Sequence, residues 1–334
     1  MNREELQNAG IDLHNLKGFI GKGEVMDADT GAPTAITNAN VGVPAELLTY
    51  IDPKAIEVLT APRNATKLFD EVVHGGWDTE RLKYRMSENV GAIAPYGDFS
   101  EIGVSDVNNE WVPTDVYRFQ TMIKYGDLET ARNAQAKVSL VADKQRAAAN
   151  TIAIYGNKYY MYGVPGLSIY GIVNHPNLPV ALTPNTVGGA TAWSAKDSVG
   201  IYGDIQKIFN DLIDKSQGLI SATDKFKIGI APALLGYLNT VNTYGKSAME
   251  LMKLNYPNVE VVAVPEFHTA ASGDYVFVIA DEVLGQKTGE CVTPQKLRTF
   301  QVIPEASSFK QKAAAATCGF RLYMPFALSR MLVS

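Results

Sequence analysis

Apolar and basic residues alternate strictly through Arg81-Leu82-Lys83-Tyr84-Arg85-Met86. This period of two predicts a half-exposed strand with Leu82, Tyr84 and Met86 on one face. A second strand reads from Tyr117 to Tyr125, with Tyr117, Phe119, Ile123 and Tyr125 sharing a face. Between the two lies Ser87 to Trp111, a stretch of roughly 25 residues rich in Gly, Asn, Asp and Ser; loops of that length are uncommon in compact domains and are usually functional. The span from Trp77 to Gly126 is therefore expected to form a long two-stranded projection. An isolated two-stranded ribbon is marginal in water, so it must lie on its own domain or on a neighbouring subunit.

The period then changes to that of a helix. Leu128, Ala131, Ala134, Val138, Val141, Ala148 and Ile152 keep the i, i+3, i+4, i+7 spacing of one helical face. They predict a helix from Leu128 to Tyr155, about 40 Å long at 1.5 Å per residue, closed by Gly156. Asn157 to Trp193 reads as loop and short strand. The chain beyond Trp193 has α/β character: a helix over Ala195–Ser216, a buried strand at Phe226–Ile230, helices at Pro232–Leu238 and Ser247–Leu254, and strands at Val259–Val264, Tyr275–Ala280, Thr299–Ile303 and Cys318–Met324. The first ~45 residues, rich in Gly, Asn, Thr, Ala and Pro, read as an extended arm that needs another surface to order it. A short helix with Asp52 as N-cap and Pro53 at its first position comes after the arm, presents Ile56 and Leu59, and stops at Pro62.

Composition narrows the function. The chain has 334 residues, 46% hydrophobic and 19% charged, which allows a sizeable core in two domains or in one domain with large excursions. A net charge of −5 argues against a protein that grips nucleic acid through its phosphates. Charge is nevertheless unevenly placed. Asp98, Glu101, Asp106, Glu110 and Asp115 follow one another with no Lys or Arg between them, while the outgoing strand carries Arg81, Lys83 and Arg85. Such a split suits docking onto complementary patches, although a solvated loop reads the same way. No apolar run reaches the ~20 residues that span a bilayer, and the N-terminus lacks a secretory pattern. Cys291 and Cys318 have neither disulfide-framework nor metal-site spacing and are read as buried thiols.

The common catalytic signatures are absent. There is no G-x-S-x-G, H-E-x-x-H or G-x-x-x-x-G-K. Asp27-Ala28-Asp29-Thr30-Gly31 begins like a calcium loop but has Gly at the third ligand and no closing Glu. His14, His74, His175 and His268 lie far apart. No catalytic, cofactor or metal residues are assigned.

The order of elements is then informative. Arm, short helix, β excursion, very long helix, α/β region and closing strand together resemble the Hong Kong 97 type major capsid fold of tailed phages, shared with the encapsulins. Two stretches carry the likeness. One is Val164 to Pro179, where Gly171-Ile172-Val173-Asn174-His175-Pro176 resembles a Gly-apolar-apolar-Asn-x-Pro turn after the long helix. The other is Thr317 to Ala327, an alternating strand ending in Pro325-Phe326-Ala327. The resemblance implies an α+β chain with an N-terminal arm and short helix (1–72), an extended loop (73–126), a spine-helix peripheral domain (127–200 and 300–334) and an α/β axial domain (201–299).

It further implies a non-enzymatic shell subunit that self-assembles into hexamers and pentamers of an icosahedral phage head around double-stranded DNA. The intersubunit contacts of the extended loop would be Leu82, Tyr84, Met86, Trp111, Tyr117 and Phe119. Implied partners are further copies of the chain, a portal and either a separate scaffolding protein or none, with decoration proteins left open, DNA met only non-specifically and no membrane. The implied location is the virion, after assembly in the host cytoplasm. Crosslinking relatives join a loop Lys to a neighbour's Asn. Lys83 and Arg85 lie on the projection, but no partner Asn or catalytic acid can be matched, so crosslinking is not carried over. The alternatives are an encapsulin-like nanocompartment shell and an α/β enzyme with a long lid.

Overall fold

The computed structural model of the chain describes residues 63–96, 98, 103–135, 139–242, 245–269 and 273–333. The arm and the Pro53 helix lie outside the described residues. The first turn, α1 (Ala65–Leu68), buries Ala65 and Leu68, and β1 (Glu71–Val73) comes after it. Two long strands, β2 (Arg81–Gly91) and β3 (Ser105–Asp115), pair antiparallel through eleven residues each, from Arg81↔Asp115 to Gly91↔Ser105.

This corrects the expected partner of the 81–86 strand. The strand β4 (Tyr117–Gly126) does not return along β2; it pairs instead with Ser308–Thr317, near the far end of the chain. The sequence reads β3 as loop for a physical reason. Ser-Asp-Val-Asn-Asn-Glu-Trp buries no side chain on either face, so it carries no alternation for a pattern to detect.

The long helix arrives as two. α2 (Asp127–Gln135) buries none of its side chains, so Leu128, expected on a packed stripe, is exposed. α3 (Leu140–Tyr162) forms the spine and runs a full turn and a half past Gly156. A mid-helix glycine costs about 1 kcal/mol. Burying Tyr160 and Met161 in the next turn outweighs that. The stop is Gly163, at φ +68, whose N–H donates to the Tyr159 carbonyl at 2.9 Å.

Four carbonyls at a helix C-terminus lack intrahelical donors. Here the Gly171–Pro176 turn supplies the remaining three. Ile172 N–H donates to the Tyr160 carbonyl (2.9 Å), Val173 N–H to Met161 (3.0 Å) and Asn174 Nδ2 to Tyr162 (2.7 Å). A Cβ on Gly171 would stand 2.2 Å from the Met161 carbonyl oxygen, which is why the turn requires glycine.

The α/β region comes next. α4 (Ser198–Lys215) is capped by Asp197 and buries Ile201, Ile205, Ile208, Phe209 and Leu212. On the same helix, Asp204 accepts from Trp193 Nε1 (2.9 Å), Lys196 Nζ (2.5 Å) and the Asn185 N–H (2.7 Å), a buried charge with its partners in place. Further along are β5 (Phe226–Ile230), α5 (Pro232–Leu238), α6 (Ala248–Asn255), β6 (Val259–Ala263), β7 (His268–Thr269) and β8 (Gly273–Ala280). After the small hairpin β9 (Glu282–Val283) and β10 (Gln286–Lys287) come β11 (Gly289–Thr293), β12 (Gln295–Pro304), β13 (Ser308–Thr317), β14 (Phe320–Leu322) and β15 (Leu328–Val333).

Three sheets organise these strands. β12-β13-β4 supports the spine helix over Ile123, Ala148, Ile152, Ala313 and Ala315, where alanines permit close approach. β1-β11-β14 forms a small connecting sheet. β15-β8-β5-β6, with β7 on β8, is the five-stranded sheet under α4. The closing strand is shorter than the expected Cys318–Met324, and β15, which the alternation did not reveal, continues into the five-stranded sheet.

Candidate functional site

The β2–β3 ribbon is about 36 Å long, at 3.3 Å per residue, and only its root touches the rest of the described chain. Leu82, Tyr84, Val112 and Thr114 are partly or fully buried there. The Tyr84 ring meets Tyr323 edge-on at 5.5 Å, and the Arg321 guanidinium lies 5.2 Å from its centroid. Burial raises the Tyr84 phenol above its usual range, with Arg321 opposing that shift and Glu110 adding to it. Arg81 Nε bonds Asp115 Oδ1 at 2.8 Å across the first pair.

A second anchor holds the segment leading into the ribbon. Arg118 donates from Nε to the Trp77 carbonyl and from Nη2 to the Thr79 carbonyl, both at 2.8 Å. Trp77 packs edge-on against Phe300 at 5.8 Å, and Arg298 covers both rings, at 5.6 and 5.1 Å. Lys312 completes the row 5.0 Å from the Phe300 centroid. Cations and aromatic rings thus alternate as Arg118, Trp77, Arg298, Phe300 and Lys312. Sequence reasoning missed this ladder. Its members come from three separate strands and a loop, and only the sheet pairing brings them together.

Beyond Arg85 the ribbon makes no such contacts. Met86, Val90, Val107 and Trp111 are all exposed, Ile93 and Tyr96 almost completely so. Met86 and Val90 lie on one face of the ribbon and Val107 and Trp111 on the other, and exposed apolar side chains on an unpaired two-stranded edge mark an interaction surface.

The predicted contact residues therefore separate into groups. Leu82 and Tyr84 pack at the root, and Met86 and Trp111 are free on the ribbon. Tyr117 and Phe119, expected on the extended loop, are not on it. They lie in β4 and pack against Tyr159 of the spine helix at 5.3 and 4.9 Å. Lys83 and Arg85 sit on the face opposite Tyr84, in register with Pro113 and Trp111.

The described residues contain no cluster of three or more His, Cys, Asp or Glu able to hold a metal. No helix among them is long and apolar enough to cross a membrane. A groove of about 430 Å³ between the spine helix and its sheet is floored by Phe119, Ile152, Ala153 and Ala315. Its one carboxylate, Glu71, is already engaged by Tyr160 Oη (2.8 Å) and Lys296 Nζ (2.5 Å).

A spine helix on a long sheet, a separate α/β sheet and a projecting ribbon define the Hong Kong 97 type of phage capsid fold. The structure is similar to the capsid of Myoviridae phage XM1, with a TM-score of 0.71 at 11% identity over 88% of this chain and 100% of that one. It is also similar to the capsid of the native GTA particle (0.59, 10% identity, 90% and 100% covered) and to Gordonia phage Cozz (0.53, 11%, 90% and 97%). A comparison with curated proteins finds no match.

The family model of the Pa193 gp26 major capsid protein matches residues 34–333, and the chain belongs to that family. It is a major capsid protein, a shell protein of the phage head, and its place is the virion. Fold and family are those of a structural capsid protein.

Proposed function

We propose that this chain assembles into hexamers and pentamers that close an icosahedral head around double-stranded DNA, each subunit laying its ribbon across a neighbour. One observation carries this reading: the outer part of the ribbon exposes Met86, Val90, Val107 and Trp111 to solvent, and none of its residues beyond Arg85 belongs to a core cluster. Such a ribbon is marginal alone, and association with other copies removes its apolar surface from water. Rings close when contacts are heterologous, so that one surface of a subunit meets a different surface of the next. Many weak contacts per subunit then add to a stable shell.

The peripheral part comprises the spine helix with the β12-β13-β4 sheet, and the axial part comprises α4 to β8 with β15 joined to their sheet. Assembly takes place in the host cytoplasm with a portal and a separate scaffolding protein, with decoration proteins as outer partners, and the subunit has no catalytic role. Negative-stain microscopy and sedimentation of the purified protein, alone and with candidate scaffold, test the reading. Closed shells or five- and six-membered rings are expected. Replacing Ser87–Asn109 by a short Gly-Ser turn should leave the far-ultraviolet dichroism and melting of the monomer nearly unchanged while abolishing shells and rings. A wild-type protein that stays monomeric at high concentration with scaffold present would overturn it.

A further inference from the structure

The sheet β12-β13-β4 ends at β4, which pairs with β13 on one side only. In an antiparallel pair, alternate residues turn both N–H and C=O toward the partner strand, and the residues between them turn both away. Asp127, one step past the pair Gly126↔Ser308, donates its N–H to the Ser307 carbonyl at 3.1 Å. The odd-numbered residues of β4 therefore bond β13, and the even-numbered ones face the open edge. Other groups close both ends of that edge. Val116 N–H donates to the Glu80 carbonyl (3.1 Å), and the Lys124 carbonyl accepts from Lys144 Nζ (2.9 Å). Gly126 donates its N–H to Glu129 and accepts at its carbonyl from the Thr130 hydroxyl. Between these caps, the outward N–H and C=O groups of Arg118, Gln120 and Met122 have no backbone partner among the described residues.

A groove of about 650 Å³ runs along this stretch. One wall is the consecutive run from Tyr117 to Thr121. Side chains of such a run alternate between the two sheet faces, so the groove follows the backbone edge and not one face. The opposite wall is the spine helix, with Thr151, Tyr155 and Tyr159 spaced four apart on one stripe. Tyr155 is exposed, and Lys158 lies 5.4 Å from its ring centroid. Arg118 borders the groove, and no Asp or Glu does. Exposed strand edges are normally blunted by proline or lysine; from Phe119 to Ile123 β4 has neither.

We infer that the open edge of β4 binds an extended acidic segment of a second polypeptide by strand addition. The backbone of the segment completes the ladder at Arg118, Gln120 and Met122. Its apolar side chains lie on Tyr155 and Tyr159, and its carboxylates face Arg118 and Lys158. Main-chain bonds then supply affinity, and the cationic rim selects for acid. The exposed strands of a further copy fit this edge poorly: β2 brings Lys83 and Arg85 to a cationic rim, and β3 lacks an N–H at Pro113. The inference goes beyond the shell reading, and it is tested on the unassembled subunit so that either can fail alone.

The probe is a peptide of about eight residues alternating Val and Glu, the length of an ordinary strand. It is added to the full chain below the concentration at which the chain assembles. Residue-resolved hydrogen exchange should slow about tenfold at the Arg118, Gln120 and Met122 amides, with β5 and β8 unchanged. A fully N-methylated peptide, and one with Lys in place of Glu, should each bind about tenfold more weakly or worse. Gln120→Pro removes one outward N–H and leaves the β13 bonds in place, so it should weaken binding about tenfold with little change in melting. Should that variant fail to fold, Tyr155→Ser, at an exposed helix position, should still weaken binding about threefold or more. Equal binding of the N-methylated or the Lys peptide overturns the inference, as does protection that does not single out the three amides. A single-stranded oligonucleotide that protects the same amides where the peptide does not would give the groove to nucleic acid, and the inference fails. If the three amides are already slow in shells formed from this chain alone, a further copy covers the edge, and the inference fails while the shell reading stands.

Discussion

At the scale of single residues, the turn after the spine helix concentrates the strictest requirements. Asn174 does two jobs: its Oδ1 accepts from the Gly171 N–H at 2.8 Å and its Nδ2 satisfies the Tyr162 carbonyl. Asn174→Ala should cost about 1–2 kcal/mol, the usual penalty for stranding a hydrogen-bond partner. Gly171→Ala should cost more, because the Met161 carbonyl stands where the new Cβ would go. Chemical denaturation of both variants checks the order. His175 in the same turn is pushed down to about 4 by burial, and its Nδ1 accepts from the Asn177 N–H at 3.2 Å. The unfolded imidazole titrates near 6.5. Between those values the unfolded chain binds the extra proton, so stability falls as pH drops from about 6.5 to about 4 and is level outside that window. The side chain is partly solvated, so the loss should be on the order of 1 kcal/mol after screening. His175→Gln should flatten the melting temperature across this window, measured by calorimetry at half-unit pH steps.

At the scale of elements, the ribbon and the spine helix left unequal traces in the sequence, and the reason is burial. β2 shows alternation near its root because Leu82 and Tyr84 are half-buried there. β3 shows none, because exposed strands need no apolar face. The helix pattern overran at its start, where α2 buries nothing, and stopped early at Gly156, where tertiary packing overrode local propensity. The ribbon is joined to the body chiefly through Tyr84 against Tyr323 and Arg321, and through the Trp77 ladder. Tyr84→Ala with Trp77→Ala should speed amide exchange at the root pairs Leu82↔Thr114 and Tyr84↔Val112 at least tenfold. Exchange in β5 and β8 of the five-stranded sheet should be unchanged. Hydrogen-exchange mass spectrometry distinguishes the two; equal acceleration everywhere would mean the anchors belong to the global core.

At the scale of the whole molecule, no residue of the ribbon beyond Arg85 enters any of the three core clusters. The subunit can therefore fold while its assembly surface stays open, which is what a shell protein needs before it meets its neighbours. The order of helical and extended stretches, the acidic character of Ser87–Trp111 and the Gly-apolar-apolar-Asn-x-Pro turn were all legible in the amino-acid sequence. Each depends on neighbours within a few positions, where period, charge and turn chemistry leave a direct trace. Only the tertiary structure decided that β4 pairs with β13 across almost two hundred residues, that β15 closes the axial sheet, and that Arg118, Trp77, Arg298, Phe300 and Lys312 stand in one row. Strand pairing is chosen by the packing of whole faces, and one chain segment carries no local record of which distant partner will cover it.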